Sequence, residues 1–403
     1  MKKAFLYLIF SLLFCFTPPS NIYAQQDVID SLKQELEKAD VDSSKKNIHN
    51  YIIRNYLVRD KNEEALKYAL QYYDIMVENK SIQYSNYMNL LGGIYDNRSV
   101  YDSAIIFLQK AMESAEYLED YVAMGRSYLY LGGTMFKQGR KEEALNYFLK
   151  LRKISEQNLD IEPEAKNNLA SAYYSIAMIL KEVEQDKSIG YYLKAAEIFE
   201  EAKKFQNLAI TLRSIGYIYA RVKPDSAIYY HQRSVKILRE IKSYTSLAYS
   251  LSNIAFTYTL FSQPKKAIPY LRNALDTFRL TQHPRGEIIA VNGLAEAYIT
   301  MGKLDSAQKY ISEALSLNDS INDLDALHET YKMVYQVDSL GGNYLNALNS
   351  YIKYRTLRDT LLKNEIVSEL TAKYETEKKK LKMPNSRQKM LKKKQKYRLE
   401  ITF

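Results

Sequence analysis

One arrangement of apolar and small positions recurs along the chain. It consists of an apolar residue, a small residue directly after it, a Tyr or other large apolar residue three further on, then an Ala, and a closing pair three to seven residues later. The clearest copy is Leu91-Gly92-x-x-Tyr95 with Ala104, Leu108 and Ala111. Others are Leu131-Gly132 with Ala144 and Phe148, Ile215-Gly216 with Tyr219 and Ala227, Ile254-Ala255 with Tyr258, Ala267, Leu271 and Ala274, and Leu294-Ala295 with Tyr298, Ala307, Ile311 and Ala314. Weaker copies centre on Ala65, on Ile189 with Ala196, and on Ala347. Marks at 65, 104, 144, 189, 227, 267, 307 and 347 follow one another at 39, 40, 45, 38, 40, 40 and 40 residues. Within each copy a turn signal such as Gln138-Gly139-Arg140, Lys223-Pro224-Asp225 or Met301-Gly302-Lys303 precedes the Ala. The expected unit is therefore a pair of helices joined by a tight turn. Gly or Ala on the first helix and Ala on the second let the two approach closely, and Tyr95, Tyr219, Tyr258 and Tyr298 are expected to fill the gap toward the next hairpin.

The L-G-x-x-Y and A-x-x-x-F elements and their repetition resemble the tetratricopeptide repeat over roughly residues 45–356, although the Trp of that pattern is replaced throughout and its usual period is about 34 residues. The resemblance implies an all-α solenoid of about eight helical hairpins of ~40 residues, with a long C-terminal helix. The extra residues suit longer helices or longer connections, and the 45-residue interval points to a lengthened connection around Asp160–Glu164. A solenoid of this kind offers a concave groove lined by first helices, expected to hold a protein or peptide. The candidate groove residues are Asn89, Arg126, Lys137, Tyr174, Arg213, Tyr217, Asn253, Phe256, Asn292 and Glu296, with three amides near the same place in their copies.

Composition agrees with helices, since 13 Gly and 8 Pro in 403 residues are few for a fold rich in turns, and 46% hydrophobic residues exclude a disordered chain. The ends add organisation. Lys2-Lys3, the apolar run Ala4–Phe16 and the small residues up to Ala24 have the layout of a secretory signal cut after Ala24. The run would span roughly 20 Å as a helix, less than a bilayer core. The expected compartment is the bacterial periplasm, the alternative being an inner-membrane anchor through uncleaved residues 4–16. Cys15 is the one cysteine, so the exported chain would carry neither a disulfide nor a thiol nucleophile.

The formal charge of +10 is unevenly placed: residues 372–403 carry twelve basic residues against Glu375, Glu377 and Glu400, which leaves the body near neutrality. A neutral body gives no electrostatic footing for nucleic acid, whereas the basic tail, 384–403, suits either a disordered segment or contact with an anionic membrane surface. Residues 25–44 are expected to cap the solenoid and 357–383 to form a charged connector helix. Glu369–Lys379 resembles the connector of bacterial tetratricopeptide sensors that lead to a histidine kinase or a helix-turn-helix regulator, but Pro384 and the short remainder supply no output domain. No phosphate-loop, dinucleotide or nucleophile-elbow motif is present, and His49, His231, His283 and His328 fall on separate repeats. The expectation is thus a non-catalytic chain without metal or cofactor; the alternative is the sensor portion of a signalling protein whose output is absent. The oligomeric state is not legible.

Overall fold

The computed structural model describes residues 30–36, 42–58, 62–71, 73, 82–160, 163–363, 366, 367 and 370. The expected leader, with its expected cut after Ala24, and the expected basic tail lie outside them. Among the described residues all regular structure is helical, in two compact units, one ending at Glu119 and one beginning at Asp120. The first unit holds α1 (residues 30–36), α2 (Asp42–Val58), α3 (Asn62–Gln71), α4 (Ile82–Asn97) and α5 (Tyr101–Tyr117). The second holds six hairpins: α6 (Tyr121–Lys137) with α7 (Lys141–Gln157), α8 (Pro163–Leu180) with α9 (Gln185–Glu201), α10 (Phe205–Tyr219) with α11 (Pro224–Glu240), α12 (Tyr244–Leu260) with α13 (Pro264–Leu280), α14 (Pro284–Thr300) with α15 (Leu304–Ile321), and α16 (Leu324–Leu340) with α17 (residues 344–363). α17 runs unbroken across residue 356, where the connector was expected to begin.

Two helices of seventeen residues and two turns of three make the forty-residue period. The long interval has five residues between α7 and α8, an eighteenth residue in α8, and four between α8 and α9. Its mark is Ser188 rather than Ile189. Every second helix carries its small buried residue at the fourth position, and in α9 this is Ser188, whose hydroxyl donates to the Ala177 carbonyl at 2.7 Å. Ile189 is only half-buried.

From α4–α5 to α14–α15 a hairpin closes by seating one large side chain, the eighth of the second helix, against the small residue of the first. A Cβ built on Gly92 would stand 2.5 Å from Leu108, and one on Gly216 would stand 2.6 Å from the His231 ring, so neither position has room for a side chain. Ala177, Ala255 and Ala295 play the same part and are fully buried. The tyrosines depart from expectation. Tyr95, Tyr219, Tyr258 and Tyr298 stack within their own hairpins, on Phe107, Tyr230, Tyr270 and Tyr310, at centroid distances of 5.3, 5.8, 5.9 and 5.7 Å. They brace the two helices of one unit instead of bridging to the next.

The turns explain why so few glycines suffice. Ser243 N–H donates to Leu238 at 2.9 Å, His283 to Phe278 at 3.0 Å and Lys303 to Tyr298 at 3.0 Å, the six-to-one bond that ends a helix through one left-handed residue. Gly139, Gly302 and Gly342 occupy that residue in three turns, but Lys203, Lys242, Ser262 and Gln282 adopt it at φ between 51 and 56°. A Cβ in this conformation costs roughly 1–2 kcal/mol. Lys242→Gly is therefore expected to raise the unfolding free energy by about 0.5–1 kcal/mol and Gly302→Ala to lower it by about 1 kcal/mol, both read by urea denaturation.

His231 is the unusual knob. It is fully buried and, among the described residues, neither ring nitrogen has a hydrogen-bond partner. Burial pushes its pKa down to about 3, with the Arg213 charge adding to the effect. The unfolded chain takes up a proton below about pH 6.5 that the folded chain refuses, so this contribution to stability is complete above pH 6.5 and declines by about 1.4 kcal/mol per unit as the pH falls toward 3. His231→Leu, which copies the knob at Leu108 and Leu271, should flatten the acid side of the stability profile while leaving the neutral side within about 1 kcal/mol, as urea titrations at pH 5 and pH 7 would reveal.

Candidate functional site

Within the second unit α6 packs on α8, α10 on α12, α12 on α14, and α14 on α16, while successive second helices are held apart by the first helix between them. The first helices therefore stand on the inside of the bend. Counted from the small packing residue, the positions six before, three before and one after it share this inner side. Arg126, Tyr174, Arg213, Tyr217, Phe256, Asn292 and Glu296 occupy them, and so does Tyr249, which the sequence reading passed over although it stands six before Ala255 as Arg126 stands six before Gly132.

The centre of this face is aromatic and cationic. The Arg213 guanidinium lies 5.5 Å from the centroid of Tyr249, and Tyr174 is close enough to interact with its charge. Arg213 is half-buried and forms no ion pair among the described residues. Burial pushes its pKa below the ordinary value, with Tyr174 and Tyr249 opposing. Burial likewise raises the Tyr249 hydroxyl, against the pull of Arg285 and Arg213. Tyr174 itself packs edge-on against Tyr192 at 5.3 Å. One turn past Arg213 on α10 and two turns past Tyr249 on α12, Tyr217 and Phe256 stack at 6.3 Å with their planes 13° apart, and Tyr217 is 48% exposed.

Toward α16 the face becomes polar. The Asn292 amide donates to Thr330 Oγ1 at 3.1 Å, tying α14 to α16. Glu296 keeps access to solvent, yet loss of hydration on this face raises its carboxyl pKa, Lys332 opposing and Glu329 reinforcing the shift.

The shared amide does not hold as one site. Asn89 is buried to 1% exposure, with both amide atoms unpartnered, and belongs to the first unit. Asn253 stands two residues before Ala255, one off the position of Asn89 and Asn292, and is half-buried. Asn292 is engaged with Thr330. Lys137 is exposed at the last residue of α6. Among the described residues no three His, Cys, Asp or Glu side chains cluster as metal ligands would.

A desolvated cation without a counter-charge is unfavourable in the free protein. Arg213→Met, which keeps the length and removes the charge, is expected to raise the thermal midpoint, measured by circular dichroism.

A family model described as tetratricopeptide repeat matches residues 290–320, the latter half of α14 with most of α15. Among solved structures, a signal-transduction ATPase with numerous domains and a tetratricopeptide repeat sensor from Pyrococcus horikoshii is 19% identical with a TM-score of 0.58, covering 86% of this chain and 55% of its own. This chain thus spans about half the length of that protein. Aspartyl phosphate phosphatase F from Bacillus subtilis is 16% identical with a TM-score of 0.56, covering 83% of this chain and 88% of its own. A Rap protein in complex with competence and sporulation factor is 14% identical with a TM-score of 0.54, covering 86% of this chain and all of its own. At these identities the likeness concerns the fold. No curated protein matches the sequence. With residues 290–320 matched and the same hairpin repeated on either side of them, the chain is an all-α solenoid of tetratricopeptide-type helical hairpins.

Proposed function

We propose that the chain is a non-catalytic scaffold that holds an extended segment of a protein or peptide along the inner face of α8, α10 and α12. The observation that carries this reading is the half-buried, unpaired Arg213 between Tyr174 and Tyr249, beside the partly open Tyr217–Phe256 stack. Tyr and Arg are the side chains that most often anchor protein interfaces, through large rigid contact area and directional charge. An acidic group on the partner would offset the desolvation of Arg213, and an apolar side chain would cover the stack. The Rap protein bound to competence and sporulation factor has this general fold, which supports a peptide as partner.

The layout of residues 1–24 supports a periplasmic location. A sensor role is the second reading, favoured by the likeness to a protein whose solenoid is described as a sensor and by the connector-like Glu369–Lys379.

The test is affinity capture from a periplasmic extract with the wild-type chain, Arg213→Met, and the double variant Tyr217→Ala/Phe256→Ala. A partner retained by the wild type and reduced at least about tenfold by each variant is the expected result, a loss of about 1.4 kcal/mol or more. A partner indifferent to all three substitutions would remove the inner face from the reading.

A further inference from the structure

α17 is distinguished by how much apolar surface it leaves open, since the apolar fifth residues of α5, α7, α9, α11 and α13, Ile105, Leu145, Ile189, Ile228 and Ile268, are half-buried. The second, fifth and ninth residues of a second helix lie on the side turned away from its own hairpin, and in α15 they are Asp305, Gln308 and Ser312, all exposed and polar. In α17 the same positions are Leu345, Leu348 and Ile352, 73%, 55% and 53% exposed. The row continues as Arg355, Asp359 and Leu362 on α17 and as Ile366 after it, with the last two 44% and 55% exposed and the charged pair exposed between the apolar ends. These residues alternate by three and four, the spacing of a seam against another helix. Exposed apolar surface of this extent on a helix is a docking surface more often than a solvated one.

We propose that this row pairs with the same row of a second copy, the two α17 helices running antiparallel about a two-fold axis near Leu357. The order of the residues selects the orientation. With the axis at 357, Leu348 lies opposite the partner subunit's Ile366, Ile352 opposite the partner subunit's Leu362, and Arg355 opposite the partner subunit's Asp359. Each charged residue in the middle of the seam then meets its opposite, twice by symmetry. A parallel pair would set Arg355 against the partner's Arg355 and Asp359 against the partner's Asp359, two like-charge contacts at seam positions, which are strongly unfavourable. Tyr344, Val367 and Leu370, 75%, 52% and 59% exposed, flank the row and widen the surface that pairing would cover. The assembly leaves the inner face of α8, α10 and α12 unused, so it stands independently of the binding role.

Sedimentation equilibrium of the full chain should give a dimer. Arg355→Asp alone and Asp359→Arg alone should each weaken it at least about tenfold, and the two together should restore it, since the swap exchanges partners without losing a pair. Orientation is read by disulfide trapping in a Cys15→Ser background. Leu348→Cys and Ile366→Cys chains should cross-link when mixed and not when either is oxidised alone. A monomer at the highest soluble concentration, a dimer indifferent to the single charge changes, or self-linking of either cysteine variant would each overturn the proposal. Arg355 and Asp359 are exposed, and circular dichroism of the variants separates loss of pairing from loss of fold.

Discussion

The fold depends on one contact, a large side chain of the second helix seated where the first helix has almost none. Leu108 on Gly92, Phe148 on Gly132 and His231 on Gly216 are variants of it, and burial is complete or nearly so on both sides. The contact constrains size at two positions and little else, so chemistry as different as isobutyl, phenyl and imidazole can fill it. In α2–α3 the sizes exchange sides. Ile53 stands on the first helix and Ala69 on the second, both fully buried in one cluster. In α16–α17 the rule lapses: α16 places Tyr335 at the small position, its ring 5.3 Å from Tyr351, which remains 38% exposed.

The period and the architecture were legible in the sequence because the small-residue positions fix the spacing of helices, and that spacing repeats. Gly132, Ala144, Ala255 and Ala267 were read in their correct roles. What the pattern could not supply was direction and depth. Tyr95 and Tyr298 were seen as large residues needing neighbours, but which neighbour depends on the seventh residue of the second helix, Phe107 or Tyr310, whose own recurrence went unread. Ser188 hid the fourth mark because a hydroxyl that binds the Ala177 carbonyl replaces the methyl that the pattern looks for. Asn89 looked like a groove residue on helical phase alone, yet it is buried in its unit, and phase cannot distinguish an open face from a covered one. Tyr249 illustrates the converse, since the small-residue pattern marks packing positions and the inner face lies about a quarter-turn away from them.

The inner face and the core share residues, so binding and stability are not separate there. Arg213 bears on the buried His231 below it and on Tyr249 beside it. Its charge is unfavourable to both His231 protonation and its own burial, and the surrounding hairpins must hold it in place. The body is close to neutral overall, so the character of this face arises from local arrangement and not from a net field.

The turn described above, three residues ended by a six-to-one bond, has a consequence for how such a chain is made over time. Because the hairpins α12–α13 and α14–α15 each have their own knob, their own stacked tyrosines and their own turn at a spacing of forty residues, a duplication or deletion of forty codons within that stretch returns the reading to the same phase of the same unit. Gene rearrangements of that length therefore change how many hairpins the protein has without first having to invent a new way to fold one.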